Sequence, residues 1–204
     1  IPELCFYSFN YINTEDLVKF YTDKIIEADN QGSYKLLGYS AGCKLVFLVA
    51  KELERRGMIV SDVILIDGYW NENDLNQLNE VKENEVNSEL EKFLFQIKES
   101  LKKMNMNFLI DETREKIIDY SRFISNINGF EIINAKVHLI QSQLEDEFKE
   151  EKLEKAHQME QYTNDKFFIY SGNGEHMDML DPEFIEENVK IIRKCLSLVN
   201  CNTN

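Results

Sequence analysis

Apolar residues recur along this chain in two periods that alternate. Short continuous runs of strand length come first: Leu4–Phe9, Tyr34–Leu37, Val63–Ile66, Val137–Ile140 and Phe167–Tyr170. Between them lie helical patterns, with apolar positions every third or fourth residue. Leu17, Phe20, Tyr21 and Ile25 mark one, entered through Thr14 as N-cap and the first-turn acids Glu15 and Asp16. A second runs from Ala41 to near Gly57, with Lys51, Arg55 and Arg56 late in it, where the helix dipole favours cations. A charged helix through Lys152–Gln161 and a last one after Asp181-Pro182, faced by Phe184, Ile185, Val189, Ile192 and Leu196, complete the set. Strands alternating with helices predict an α/β fold with a mostly parallel sheet flanked by helices.

The alternation stops between Asn71 and about Asn128. Asn71–Val86 is polar and reads as loop or weak helix, whereas Leu90, Phe93, Leu94, Ile97, Leu101 and Met104 form an amphipathic stripe. A further helix is expected from about Asp111, anchored by Ile117, Ile118, Phe123, Ile124 and Ile127. The block 71–128 is therefore expected to be a helical insertion over the carboxyl edge of the sheet, within one domain spanning 1–204. Ile1-Pro2-Glu3 runs straight into a strand, as in a chain that begins in mid-domain.

Composition changes this picture little. The 204 residues are 43% hydrophobic and 29% charged, as in a globular protein that can bury a core without staples. A formal charge of −14 with no basic stripe argues against nucleic acid or an anionic membrane as partner. Cys5, Cys43, Cys195 and Cys201 show no metal-ligand spacing, and Cys43 and Cys195 fall inside helix patterns as small hydrophobes. Free thiols without an export signal suggest a cytoplasmic location.

The chemistry concentrates at Gly38-Tyr39-Ser40-Ala41-Gly42. A G-x-S-x-G sequence between a buried strand and a helix delivers its serine to a sharp turn, with both glycines keeping side chains out of crowded backbone. The Ala41 N–H then points, at the positive end of a helix, to where an oxyanion would form. A serine nucleophile needs a base and a group to orient it. Of three histidines, His138 sits in an apolar strand and reads as core, and His157 in a charged helix reads as solvated. His176, after a strand end and the loop Ser171-Gly172-Asn173-Gly174, can reach back to Ser40. For the acid, Asp67 closes a wholly apolar run and precedes glycine, so its position is tightly specified. Glu145 and Asp146 follow the later Val137–Ile140 strand and remain the alternative, although three consecutive acids usually mark a solvated surface.

The stretch from Tyr34 to Tyr69, with G-Y-S-A-G-C, A-K-E-L-E-R-R-G and V-S-D-V-I-L-I-D-G-Y, resembles the thioesterase domains that end nonribosomal peptide synthetases of the surfactin, tyrocidine and gramicidin S type. Gly174-Glu175-His176-Met177-Asp178-Met179-Leu180 is similar to the segment around that family's histidine. The likeness covers nearly the whole chain, though the helical block is similar only in type. It implies an α/β-hydrolase fold with a mobile helical lid, Asp67 as the acid, and no directly bound cofactor. The substrate would arrive on the phosphopantetheine arm of a carrier protein, and a peptidyl or acyl chain would leave Ser40 by macrocyclisation or hydrolysis. The family has a further strand and helix upstream, and the loop after that strand supplies the second oxyanion donor. Nothing here matches it, so the fragment of a longer domain is the expectation. A stand-alone editing thioesterase and a catalytically silent binding module are the competing readings.

Overall fold

The computed structural model describes residues 13–70, 88–111, 113–115, 127, 129–143 and 146–197. The element order is α1 (Thr14–Ala28), β1 (Ser33–Tyr39), α2 (Gly42–Arg55), β2 (Ile59–Ile66), α3 (Ser88–Lys103), β3 (Lys136–Gln141), α4 (Asp146–Gln158), β4 (Phe167–Ser171) and α5 (Ile185–Ser197), with short 3₁₀ turns at Asn107–Leu109 and Met159–Tyr162. The strands form one sheet in the order β1-β2-β3-β4. Every pairing is parallel. Parallel strands need crossovers, and the helices between them supply these.

A sheet of this kind must be covered on both faces. β2 shows why: its last five residues are all buried. Val63 and Leu65 join the larger core, with Phe47, Ala50 and Leu53 of α2, Trp70, Ala156 of α4, and Val18, Tyr21, Ile25 and Ile26 of α1. Ile64 and Ile66 alternate onto the other face and pack with Ile191, Ile192, Cys195 and Leu196 of α5. Each such buried aliphatic side chain contributes about 1.5–3 kcal/mol.

The chain forms two compact units, residues 17–72 with 128–204, and residues 1–16 with 73–127. The first contains the whole sheet. In the second, Leu94, Ile97 and Leu101 of α3 line a cavity of about 200 Å³ together with Ile110. Met104 was expected in the same stripe, but it lies past the helix end and is 58% exposed.

Several expectations shift. β2 is longer than its apolar run because Asp62, a residue that breaks the pattern, is fully buried within it. Its carboxylate accepts bonds from Ser61 Oγ (2.8 Å) and His138 Nε2 (3.2 Å), with Lys35 Nζ at 3.5 Å. His138 is the core residue expected, and it also lies 3.2 Å from the Tyr170 hydroxyl. The N-cap of α1 is Asn13, not Thr14: Asn13 Oδ1 accepts the Asp16 N–H at 2.8 Å. Phe20 turns outward, and Thr22 takes the buried position by bonding the Val18 carbonyl. The expected strand Leu4–Phe9, the loop Asn71–Val86, most of the helix expected after Asp111, and Glu145 lie outside the described residues.

Candidate active site

Ser40 follows β1 with φ +53°, a left-handed conformation that costs a non-glycine residue about 1–3 kcal/mol unless its surroundings enforce it. Here they do. The Ser40 N–H donates to the Ile66 carbonyl at 2.8 Å, and the Ser40 carbonyl accepts the Cys43 N–H at 3.0 Å. Gly38 is required by this turn, since a Cβ there would lie 2.7 Å from the Gly42 carbonyl oxygen and 2.9 Å from Cys43 Cα. Gly42 is not: a Cβ would meet nothing within 4 Å. Only one of the two glycines thus relieves crowding, contrary to the expectation from the motif.

Asp67 ends β2 and is also left-handed, at φ +50°. Its N–H donates to the Ile140 carbonyl at 2.8 Å, which ties this turn to β3. Gly68 is obligatory beside it, because a Cβ would fall 2.3 Å from Cys43 Cβ and 2.4 Å from its Sγ. Cys43 therefore does more than fill space. Its thiol lies 3.2 Å from the Gly38 carbonyl and 3.5 Å from that of Ile66, and burial, with a smaller push from Asp67, raises its pKa far above the usual thiol range. It is a buried neutral wedge between the two turns.

His176 comes from the loop after β4. That loop is anchored at Gly172, whose N–H donates to the Gln141 carbonyl at 2.7 Å, and at Gly174, whose carbonyl accepts the Gln143 N–H at 2.8 Å. Asn188 of α5, buried, accepts the Asn173 N–H through Oδ1 and donates through Nδ2 to the carbonyls of Asn173 and Met179, each at 2.8 Å. On the other side the Tyr39 hydroxyl donates to the His176 carbonyl, and the Tyr39 ring stacks on the imidazole at 5.6 Å between centroids.

These turns converge. Ser40 Oγ lies 2.8 Å from His176 Nε2, and His176 Nδ1 lies 2.6 Å from Asp67 Oδ2. The carboxylate fixes the tautomer: Nδ1–H donates to Asp67, leaving the Nε2 lone pair for the serine hydroxyl. Asp67 Oδ1 is held by the Ser142 N–H (2.9 Å), the Tyr69 hydroxyl (3.1 Å) and Lys152 Nζ (2.6 Å). Burial works against ionisation of Asp67, but the bonds from His176, Lys152 and the Ser142 N–H outweigh it and hold the carboxyl below the usual range. Burial, assisted by the Asp67 charge, raises both Tyr39 and Tyr69, so these phenols stay neutral donors.

A hydroxyl, an imidazole and a buried carboxylate bonded in series can move a proton off the hydroxyl as it attacks a carbonyl. The Ala41 N–H sits beside it at the start of α2, and among the described residues no backbone carbonyl accepts it. The structure thus brings together Ser40, Asp67 and His176, with Ala41 adjacent. His138 and His157 stand elsewhere, the latter exposed and 2.7 Å from Glu160. Tyr39, Tyr69, Ser142, Lys152 and Asn188 were not expected. A lysine in a charged helix reads as solvated, and a backbone N–H has no sequence signal. Among the described residues, no group of three or more His, Cys, Asp or Glu side chains could hold a metal ion. No helix there is long and apolar enough to cross a membrane.

Comparison with known proteins places this geometry in context. The model of a family described as Thioesterase domain matches residues 11–196. Gramicidin S synthase 2 of Brevibacillus brevis is 30% identical over 96% of this chain and 5% of its own length. Tyrocidine synthase 3 of Brevibacillus parabrevis is 32% identical over 96% of this chain and 3% of its own. The chain therefore spans a small fraction of those curated relatives. Among solved structures, the thioesterase domain SrfTE, described in connection with cyclisation of the lipopeptide antibiotic surfactin, superposes with a TM-score of 0.66 at 24% identity, covering 93% of this chain and 79% of that one. The NocB thioesterase domain, captured in covalent complex with a fluorophosphonate nocardicin G analogue, gives 0.68 at 14% identity, covering 96% and 80%. At these identities the structural matches show the α/β-hydrolase fold.

Proposed function

The chain belongs to the thioesterase domain family, and from that membership we propose that it releases a peptidyl or acyl chain from a carrier-protein thioester in nonribosomal peptide biosynthesis. The observation that carries this reading is the unbroken hydrogen-bonded series Ser40–His176–Asp67 on a scaffold of that family. The substrate class rests on the relatives, which are parts of large synthetases.

His176 takes the proton of Ser40 as Oγ attacks the thioester carbonyl, and Asp67 holds the resulting imidazolium. Charge developing on the carbonyl oxygen is met by the Ala41 N–H, and a donor of this kind is worth about 10²–10³ in turnover. Collapse expels the phosphopantetheine thiol, protonated by His176, and leaves an ester on Ser40. An amine or hydroxyl of the bound chain then closes a ring, or water gives a linear acid. On this reading residues 71–128 act as a lid, whose exclusion of water would favour ring closure. The clustering of residues 73–127, together with residues 1–16, as a compact unit of its own supports that role.

The test is covalent capture. Incubation with a fluorophosphonate probe, followed by peptide mass spectrometry, is expected to place one adduct on Ser40 and none on Ser40→Ala. A full adduct on the alanine variant overturns the mechanism. Turnover of acyl and peptidyl N-acetylcysteamine thioesters then separates the readings: preference for short acyl groups with no cyclic product favours an editing enzyme, and no labelling at all favours a silent binding module.

A further inference from the structure

Asp67 Oδ2 faces one partner, His176, whereas Oδ1 faces three donors, and one of these carries a full charge. Lys152 projects from α4, the helix that follows β3, with its side chain 15% exposed. Its Nζ also donates to Ser142 Oγ at 2.7 Å and stands over the Tyr69 ring at 5.0 Å from the centroid. A surface lysine would not be held by a carboxylate, a hydroxyl and a ring face at once. We propose that Lys152 is a positioning residue that sets the basicity of His176 through their shared carboxylate, an inference that rests on the roles given above to Ser40, His176 and Asp67.

The physical reason is competition for one negative charge. With Asp67 facing His176 alone, the whole carboxylate charge would act on the imidazole. A second cation on the far oxygen competes for that charge and weakens its pull on the imidazole, which is how Lys152 would tune the base. The other described groups around the pair do not substitute for it. Tyr39 at the end of β1, Cys43 of α2 and Tyr69 after β2 are neutral, their pKa values raised by burial. Asp178 and Asp181 in the histidine loop add negative charge on the Tyr39 side. Lys152 is the one described lysine or arginine in an ion pair with Asp67.

The experiment titrates His176 directly in protein labelled with ¹⁵N-histidine, its signals assigned by difference from His176→Asn. Lys152→Met removes charge and hydrogen bond, Lys152→Gln removes the charge alone, and Lys152→Arg keeps both. The His176 midpoint is expected to rise by about one pH unit in the Met and Gln variants and to stay in place in the Arg variant. Should Lys152→Met fail to fold, Lys152→Gln carries the measurement. The acid limb of fluorophosphonate labelling is expected to move by the same amount. An unmoved midpoint in the neutral variants, with or without a lower plateau of labelling, overturns the proposal and leaves Lys152 as a packing residue. Because the titration needs no substrate, a wild-type protein inert to thioesters and fluorophosphonate would refute the enzymatic reading while the midpoint still decided the role of Lys152.

Discussion

At Asp67 a carboxylate is surrounded by four donors. Asp67 is almost wholly buried, and each of its oxygens is committed. Asp67→Asn would place an amide where a charge and an acceptor are needed, offering N–H to a ring nitrogen that must itself donate. Turnover is expected to fall by about 10³–10⁴-fold, with KM changed far less, as measured by initial rates on one thioester. A loss under tenfold would mean that the acid lies elsewhere, for example at Glu145. At this scale the sequence was readable where a residue sits at a strand end with glycine within two positions. Ser40 and Asp67 both announce themselves that way, and both take a left-handed backbone. Lys152 and Asn188 were unreadable, because a charged helix and an amphipathic helix each hid one polar residue, largely buried at Lys152 and wholly at Asn188, whose key partner, Asp67 or Asn173, lies on another element.

Elements in this fold were legible through their period, and missed only where a polar residue interrupted it. β2 extends to Ile59 although Ser61 and Asp62 break the apolar run, since their polar atoms are paired inside the protein. Helix α1 was legible as a helix but not in its cap or its buried face, which turn on Asn13 and Thr22. At the joint between β2 and α2 a single methyl group has a large expected effect. Gly68→Ala would drive a Cβ into Cys43, which has no room to retreat from the Gly38 and Ile66 carbonyls. A loss of about 1–3 kcal/mol is expected in denaturant unfolding, together with slowed labelling of Ser40, because the displaced turn carries Asp67. Normal stability and labelling would show that the turn yields without disturbing its neighbours.

For the molecule as a whole, three titratable groups buried in or at the end of the sheet, His138, Asp62 and Asp67, share one direction. Desolvation lowers His138 despite its Asp62 partner. Desolvation of Asp62 is outweighed by bonds from Ser61 and His138 and by the Lys35 charge, which lower it, and Asp67 is lowered as described. A histidine held below its unfolded value of about 6.5 binds its proton in the unfolded chain first, so acidification below that value favours unfolding. The two carboxylates add stability above their unfolded value of about 3.9, which is lost as pH falls through their lower folded values. Tm is therefore expected to decline from about pH 6.5 downward and again below about pH 4. In His138→Gln, which keeps a donor for Asp62, the first decline should flatten. Identical slopes for the two proteins between pH 7 and 5 would rule His138 out as the source.

The wedge formed by Cys43 has an evolutionary corollary. Nucleophile turn, acid turn and the start of the intervening helix interlock through one thiol and one missing side chain, so none of the three can be exchanged for a relative's version alone. The histidine reaches the same spot on a separate segment, fastened by Tyr39 and Asn188. A chimera that borrows only residues 171–181 should remain assembled, whereas one that borrows only residues 38–43 should jam.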